Sequence, residues 1–245
     1  LNENAVLGSA GNPNEVYLEY SNNPNKSEEG NNETGNTPED TVIVFTYKTI
    51  VNKVTKNPAY DPEKDTDKTG TDSDGDKEYI SLEGAGFTLY KKVLGTVPSG
   101  KNYEVVKDDS GIAIGYWLPI GNELKGDKMT TFTWSGLDDG DYKLVETTTP
   151  AGYNTIADIE FTITAGHVDG DSPYLNTLSG DVTSGTATFT AVVNDGSLST
   201  DVVNNSGTQL PSTGGIGTTI FYVLGGVLVL AAVVLLVTKK RMSGA

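Results

Sequence analysis

Three short apolar runs each carry one polar side chain where an inward-facing residue belongs. In the run Val42–Val54, Ile43, Phe45, Tyr47 and Val51 share one parity, and Lys53 continues it. Tyr142, Leu144 and Glu146 alternate in the same way, as do Val202 and Asn204. Residues two apart in a strand face the same side of a sheet, so an amine, a carboxyl and an amide are expected among buried apolar neighbours. Each is costly to bury alone, but together they can satisfy one another. They can also react. Desolvation disfavours the charged form of both an amine and a carboxylic acid, and a neutral Lys53 amine is a nucleophile. A protonated Glu146 can hydrogen-bond the Asn204 side-chain carbonyl, polarise it and pass a proton to departing ammonia. The product is a Lys–Asn isopeptide bond, made once and without turnover. Lys48 and Lys56 are rival nucleophiles of opposite parity, reachable through a β-bulge, and Asn205 is the rival acceptor. Lys53 also fits the plainer role of a lysine snorkelling at a strand edge.

The elements that must position these groups are short. Runs of β-branched and aromatic residues at Val42–Val54, Tyr79–Val93, Ile112–Pro119, Met129–Trp134, Gly140–Glu146, Asp158–Thr164, Thr186–Val193 and Thr200–Asn204 are separated by Gly, Asp and Asn turns. No helical period persists before residue 216. The pattern predicts an all-β, immunoglobulin-like antiparallel β-sandwich over residues 41–205. Ahead of it, Glu15–Asn22 reads as one alternating strand, the last strand of an upstream domain (residues 1–24). Residues 25–40, rich in Asn, Glu, Gly and Pro, read as a linker. Asn22 has the inward parity of Val16, Leu18 and Tyr20 and is a candidate for a similar bond within that upstream domain. The acidic stretch 57–78 interrupts the first strands. Its Asp72, Asp74 and Asp76 begin like a calcium loop but lack the Gly and closing Glu that an EF-hand places, so a solvated hairpin loop is expected.

Composition excludes much else. The 245 residues carry 17 Lys+Arg against 33 Asp+Glu, a net charge of -16, which argues against a nucleic-acid partner. The absence of cysteine removes disulfides, thiolate metal sites and thiol catalysis, and the single histidine, His167, weakens any Ser–His arrangement. Nothing assembles a nucleophile, base and oxyanion site for turnover, so no enzyme, cofactor or metal centre is expected.

At the other end, residues 216–238 contain no charge and Ile220–Val237 is almost wholly apolar. As a helix this stretch is about 34 Å long, enough for a hydrocarbon core of about 30 Å. Lys239-Lys240-Arg241 follow, which marks residues 239–245 as a cytoplasmic tail and everything before the span as exported. The chain opens at Leu1 with no basic segment leading into an apolar run, and reads either as a chain whose signal peptide has been removed or, the favoured reading, as a fragment lacking its front. Immediately before the span, within the linker 206–215, stands Leu210-Pro211-Ser212-Thr213-Gly214.

This order resembles the cell-wall sorting signal of Gram-positive surface proteins: LPxTG, an apolar span, then a short basic tail. The resemblance implies a membrane transpeptidase, sortase, cutting between Thr213 and Gly214 and joining the Thr213 carboxyl to a wall precursor or another subunit. Tyr142-Lys143-Leu144-Val145-Glu146-Thr147 with Pro150, Gly152 and Tyr153 resembles the E-box of Gram-positive pilins, YxLxET followed by a proline and GY. Gly84–Lys91 is similar to the second-strand signature of the B-type repeat domain of collagen adhesins and pilins. That resemblance implies Lys53 and Asn204 as the bonded pair and Glu146 as the catalytic acid/base. One departure is Thr149, where the E-box usually holds Ala; as a non-reacting position it is expected to leave the chemistry intact.

The expected function is that of a structural subunit of a sortase-assembled, wall-anchored pilus. Its expected partners are sortase, neighbouring pilin subunits or the peptidoglycan precursor and, before sorting, the membrane. The alternative is the stalk of a wall-anchored adhesin presenting a head to a host ligand. A pilin-motif lysine would favour the shaft, and none is convincing in this sequence.

Overall fold

The structure, a computed structural model, describes residues 5–22, 34–63, 77–170 and 173–207. In the N-terminal stretch β1 (Asn12–Val16), β2 (Glu19–Ser21), β3 (Thr34–Asn36) and β4 (Asp40–Val44) form two antiparallel ribbons, β1 on β4 and β2 on β3. Glu15–Asn22 is therefore divided between two strands, with Tyr17 and Leu18 between them. The run Val42–Val54 is divided as well. Gly8 N–H donates to the Thr46 carbonyl at 3.0 Å, which takes Thr46 out of a ladder and separates β4 from β5 (Tyr47–Lys56). Gly8 can come this close only as glycine: its φ is +78°, and a Cβ there would lie 2.3 Å from the Asn194 carbonyl oxygen.

The body continues through β6 (Tyr79–Ser81), β7 (Gly86–Leu94), β8 (Val105–Lys107), β9 (Ala113–Pro119), β10 (Leu124–Lys125) and β11 (Thr131–Leu137). After these come β12 (Gly140–Thr148), β13 (Ile159–Val168), β14 (Tyr174–Ser184), β15 (Thr190–Val192) and β16 (Ser197–Asn204). One sheet runs β14-β13-β12-β7-β9-β8, with β10 also on β7; the other runs β11-β5-β16-β15, with β6 also on β5. This is the expected all-β sandwich. Among the described strands its pairings are antiparallel with one exception: β5 and β16, the outermost strands of the body in sequence, run parallel, with Val202 opposite Lys53 and Asn204 opposite Thr55. A parallel pair needs a long connection, and here the rest of the domain is that connection.

Alternation explains the core. Tyr47, Thr49, Val51 and Lys53 of β5 are buried in step, and so are Tyr142, Leu144 and Glu146 of β12 and Leu198, Thr200, Val202 and Asn204 of β16. The two sheets meet through Phe87, Leu89, Leu144 and Phe161 on one side and Val51, Phe132, Trp134 and Leu198 on the other. Phe87 and Phe132 pack edge to face across that interface, with ring centres 4.9 Å apart. The insertion after β5 leaves from a fixed neck, where Asn57 N–H donates to the Glu78 carbonyl at 2.8 Å and its side-chain amide to Lys77 at 2.9 Å. Asp72, Asp74 and Asp76 fall outside the described residues, as do the LPSTG motif, the span 216–238 and the tail 239–245.

Candidate functional site

Lys53, Glu146 and Asn204 come together between the sheets. β5 and β16 bring the amine and the amide from adjacent strands of one sheet, and β12 brings the carboxyl from the facing sheet. Lys53 and Asn204 are 0 % exposed and Glu146 is 5 % exposed. The Lys53 ammonium donates to the Val202 carbonyl at 2.9 Å and to Asn204 Oδ1. It lies 3.6 Å from Glu146 Oε1 and 5.7 Å from the centre of the Phe87 ring. The amide nitrogen of Asn204 donates to Glu146 Oε1 at 2.9 Å and to Oε2 at 3.2 Å. The rivals lie elsewhere: Lys48 has the opposite parity on β5, and Lys56, Asn205 and Asn22 are exposed.

Local structure holds each group in place. Thr55 Oγ1 donates to the Asn204 main-chain carbonyl at 3.0 Å, fixing the end of β16 against β5. On β12 a bulge falls directly after the carboxyl, because Glu146 pairs with Phe87 while Thr148 pairs with Gly86. Bulges of this kind bend a strand and re-aim its side chains.

Burial sets the electrostatics. Desolvation lowers the Lys53 pKa to about 8, even though the Glu146 charge and hydrogen bonding pull it upward. At pH 7 that lifts the uncharged fraction of the amine from about 1 in 3,000 to about 1 in 10.

One detail differs from the expectation drawn from sequence. The Glu146 carboxyl meets the nitrogen of the Asn204 amide, the group that would leave, and not its carbonyl oxygen. The reason is complementarity: the ammonium has only donors and takes Oδ1, so the amide presents its own donors to the carboxyl. A groove of about 730 Å³ opens nearby, bounded by Ile156, Ile159, Val202 and Asn205, but the side chains of Lys53, Glu146 and Asn204 do not line it. The site is sealed.

Reasoning from sequence missed part of the Glu146 environment. Its Oε2 accepts from Ile156 N–H at 3.1 Å and from the Thr149 hydroxyl at 3.4 Å, and Thr149 Oγ1 lies 2.7 Å from Thr155 Oγ1. The signal was the turn Pro150–Tyr153, closed by a Tyr153 N–H to Pro150 carbonyl bond of 3.2 Å, which returns the chain to the carboxyl.

Comparison with known proteins agrees with both ends of this picture. Residues 64–173 match the SpaA family, described as a prealbumin-like fold domain, and residues 202–243 match the LPXTG cell wall anchor motif. The chain is a wall-anchored surface protein of a Gram-positive bacterium. Its prealbumin-like domain, as matched, includes Glu146, while Lys53 and Asn204 lie on either side of the match. The chain is 27% identical to the trypsin-resistant surface T6 protein of Streptococcus pyogenes serotype M6, over 98% of this chain and 47% of that protein. It thus spans about half the length of that relative. Among solved structures, the T6 backbone pilin of the same serotype matches with a TM-score of 0.42 at 18% identity, covering 85% of this chain and 46% of that one. The group B streptococcus pilus 2b backbone protein matches with a TM-score of 0.35 at 19% identity, covering 73% and 50%.

Proposed function

We propose that this wall-anchored protein is a structural subunit of a sortase-assembled pilus, and that its sandwich is locked by an isopeptide bond between Lys53 and Asn204. The observation that carries the reading is the sealed contact of amine, amide and carboxyl at the ends of the first and last core strands. In the proposed step the Lys53 nitrogen attacks Cγ of Asn204, the Cγ–Nδ2 bond breaks, and ammonia leaves. Glu146 takes a proton from the attacking amine and gives one to the departing nitrogen, which it already touches. The reaction happens once per chain, so the protein is a self-modifying structural subunit and not an enzyme.

The partners follow from the same reading. Sortase would cut between Thr213 and Gly214, within Leu210–Gly214, and join Thr213 to the peptidoglycan precursor or a neighbouring subunit. Residues 216–238 would hold the chain in the membrane until then. The domain itself would span residues 41–205. The likeness to the T6 protein supports the pilus assignment.

The bond would join positions 151 residues apart, which the loop-entropy model values at about 5 kcal/mol. Its mechanical effect is larger. Tension entering at Tyr47 would run along β5 to Lys53 and cross to Asn204, bypassing the rest of the sandwich. The test is the intact mass of the full chain, produced in detergent, beside Glu146→Ala. A deficit of about 17 Da in the wild type alone, mapped to Lys53 and Asn204, is expected. A full mass in folded wild-type protein would overturn the bond and leave the wall anchor standing.

A further inference from the structure

Any proton that Glu146 handles has to reach or leave a side chain sealed from water. In the step above, a Lys53 that begins as the ammonium loses two protons on becoming an amide N–H, and ammonia carries one away. One proton is left on Glu146. The carboxyl's surroundings offer one hydroxyl route outward. Oε1 faces Lys53 and Asn204, both fully buried, and Ile156 contributes only a main-chain N–H. Thr149 Oγ1 reaches Oε2 at 3.4 Å and continues to Thr155 Oγ1 at 2.7 Å, and Thr155 is exposed. Since the single hydroxyl proton of Thr149 points at the carboxyl, Thr155 donates to Thr149, and the chain reads in one direction from solvent to Glu146.

We propose that Thr149 and Thr155 form a proton path between solvent and Glu146, and that this path sets the rate at which the Lys53–Asn204 bond closes. The inference rests on the isopeptide reading and deepens it. Both threonines are positioning residues that act through the carboxyl. When Glu146 must discharge its extra proton the three hydrogen bonds reverse together: the acid donates to Thr149, Thr149 to Thr155, and Thr155 to water. Lys53 is the one titratable side chain in contact with Glu146 among the described residues, so it is the only other group whose charge the relay has to follow.

The experiment follows bond closure in the full chain made by cell-free translation in detergent. Translation is stopped at a fixed time and the mass deficit of about 17 Da is read as a time course in H2O and in D2O. Thr149→Val is expected to slow closure by about 10-fold or more, with Thr149→Ser restoring most of the rate and Thr155→Val slowing it to a similar degree. The slowing in D2O should be larger for wild type than for either valine variant. A purely structural role would change the folded fraction but leave the isotope ratio alone. Closure of Thr149→Val at the wild-type rate, with the wild-type isotope ratio, would overturn the relay while leaving the bond intact. Failure of the wild type itself to lose ammonia would instead overturn the isopeptide reading.

Discussion

Among the described residues two lysines are buried, one on each side of the larger sheet, and their surroundings differ. Lys53 lies between the sheets, 0 % exposed, against an amide and a dry carboxyl. Lys143 lies on the outer face of β12, 3 % exposed, with its ammonium 5.0 Å from the Trp117 ring centre and 5.7 Å from that of Tyr90. It pairs with Glu104, whose side chain is 66 % exposed. The rings and a wet carboxylate stabilise a cation and offer it nothing to attack. Burial alone would therefore not make a lysine reactive; under the proposed reading, what sets Lys53 apart is a site that leaves its charge unsolvated and places an amide carbon beside it.

The comparison can be broken most decisively from the Lys53 side. Asn204→Ala should abolish the bond and lower the melting temperature by about 10–20 °C, the equivalent of the loop-closure contribution in a domain of this size. Calorimetry beside intact mass checks it, and an unchanged melting temperature would mean that Lys53 is only a satisfied core lysine.

The next effect is on rate. The Lys53 pKa is held near 8, so the amine gains its neutral form as pH rises toward that value. Closure should accelerate by about tenfold per unit from pH 6 and level off above 8. A flat profile would mean that the proton passes directly from amine to carboxyl with no exchange with solvent.

Smaller changes belong to the outer lysine. Lys143→Met keeps the packed stem and loses the cation over two rings, which should cost about 1 kcal/mol in denaturant unfolding and leave closure complete. Glu104→Gln removes only an exposed partner and should cost about 0.5 kcal/mol or less. If either variant stopped the mass loss, the two faces of the sheet would be coupled in a way the separation of their contacts does not provide.

The cluster of Lys53, Glu146 and Asn204 was legible in the sequence because each member sits on a strict alternation, and alternation is what a two-sided sheet imposes on a strand. Lys53 after Tyr47 and Val51, Glu146 after Leu144, and Asn204 after Val202 all point as their parity requires. What could not be read has equally definite causes. β14 was missed because it is mostly polar, with only Leu175 and Leu178 buried along its eleven residues. The break at Phe45–Thr46 depends on Gly8, far back in the chain. The parallel pairing of β5 with β16 leaves no mark on either strand, since register between the ends of a domain is a property of the whole. Thr149 occupies a position the E-box pattern marks as non-reacting, so nothing in the sequence signals that its hydroxyl faces the Glu146 carboxyl.

The pairing of the first and last core strands also governs timing. Every other partner of β5 is available before β16 exists, yet the acceptor amide arrives only when the final strand is laid alongside the first. Contacts this distant in sequence form late. A closed bond would therefore record that the whole domain had been made, exported and folded. A chain truncated or stalled at any point before Asn204 would stay open and vulnerable to proteases, sorting finished subunits from unfinished ones without a separate inspector.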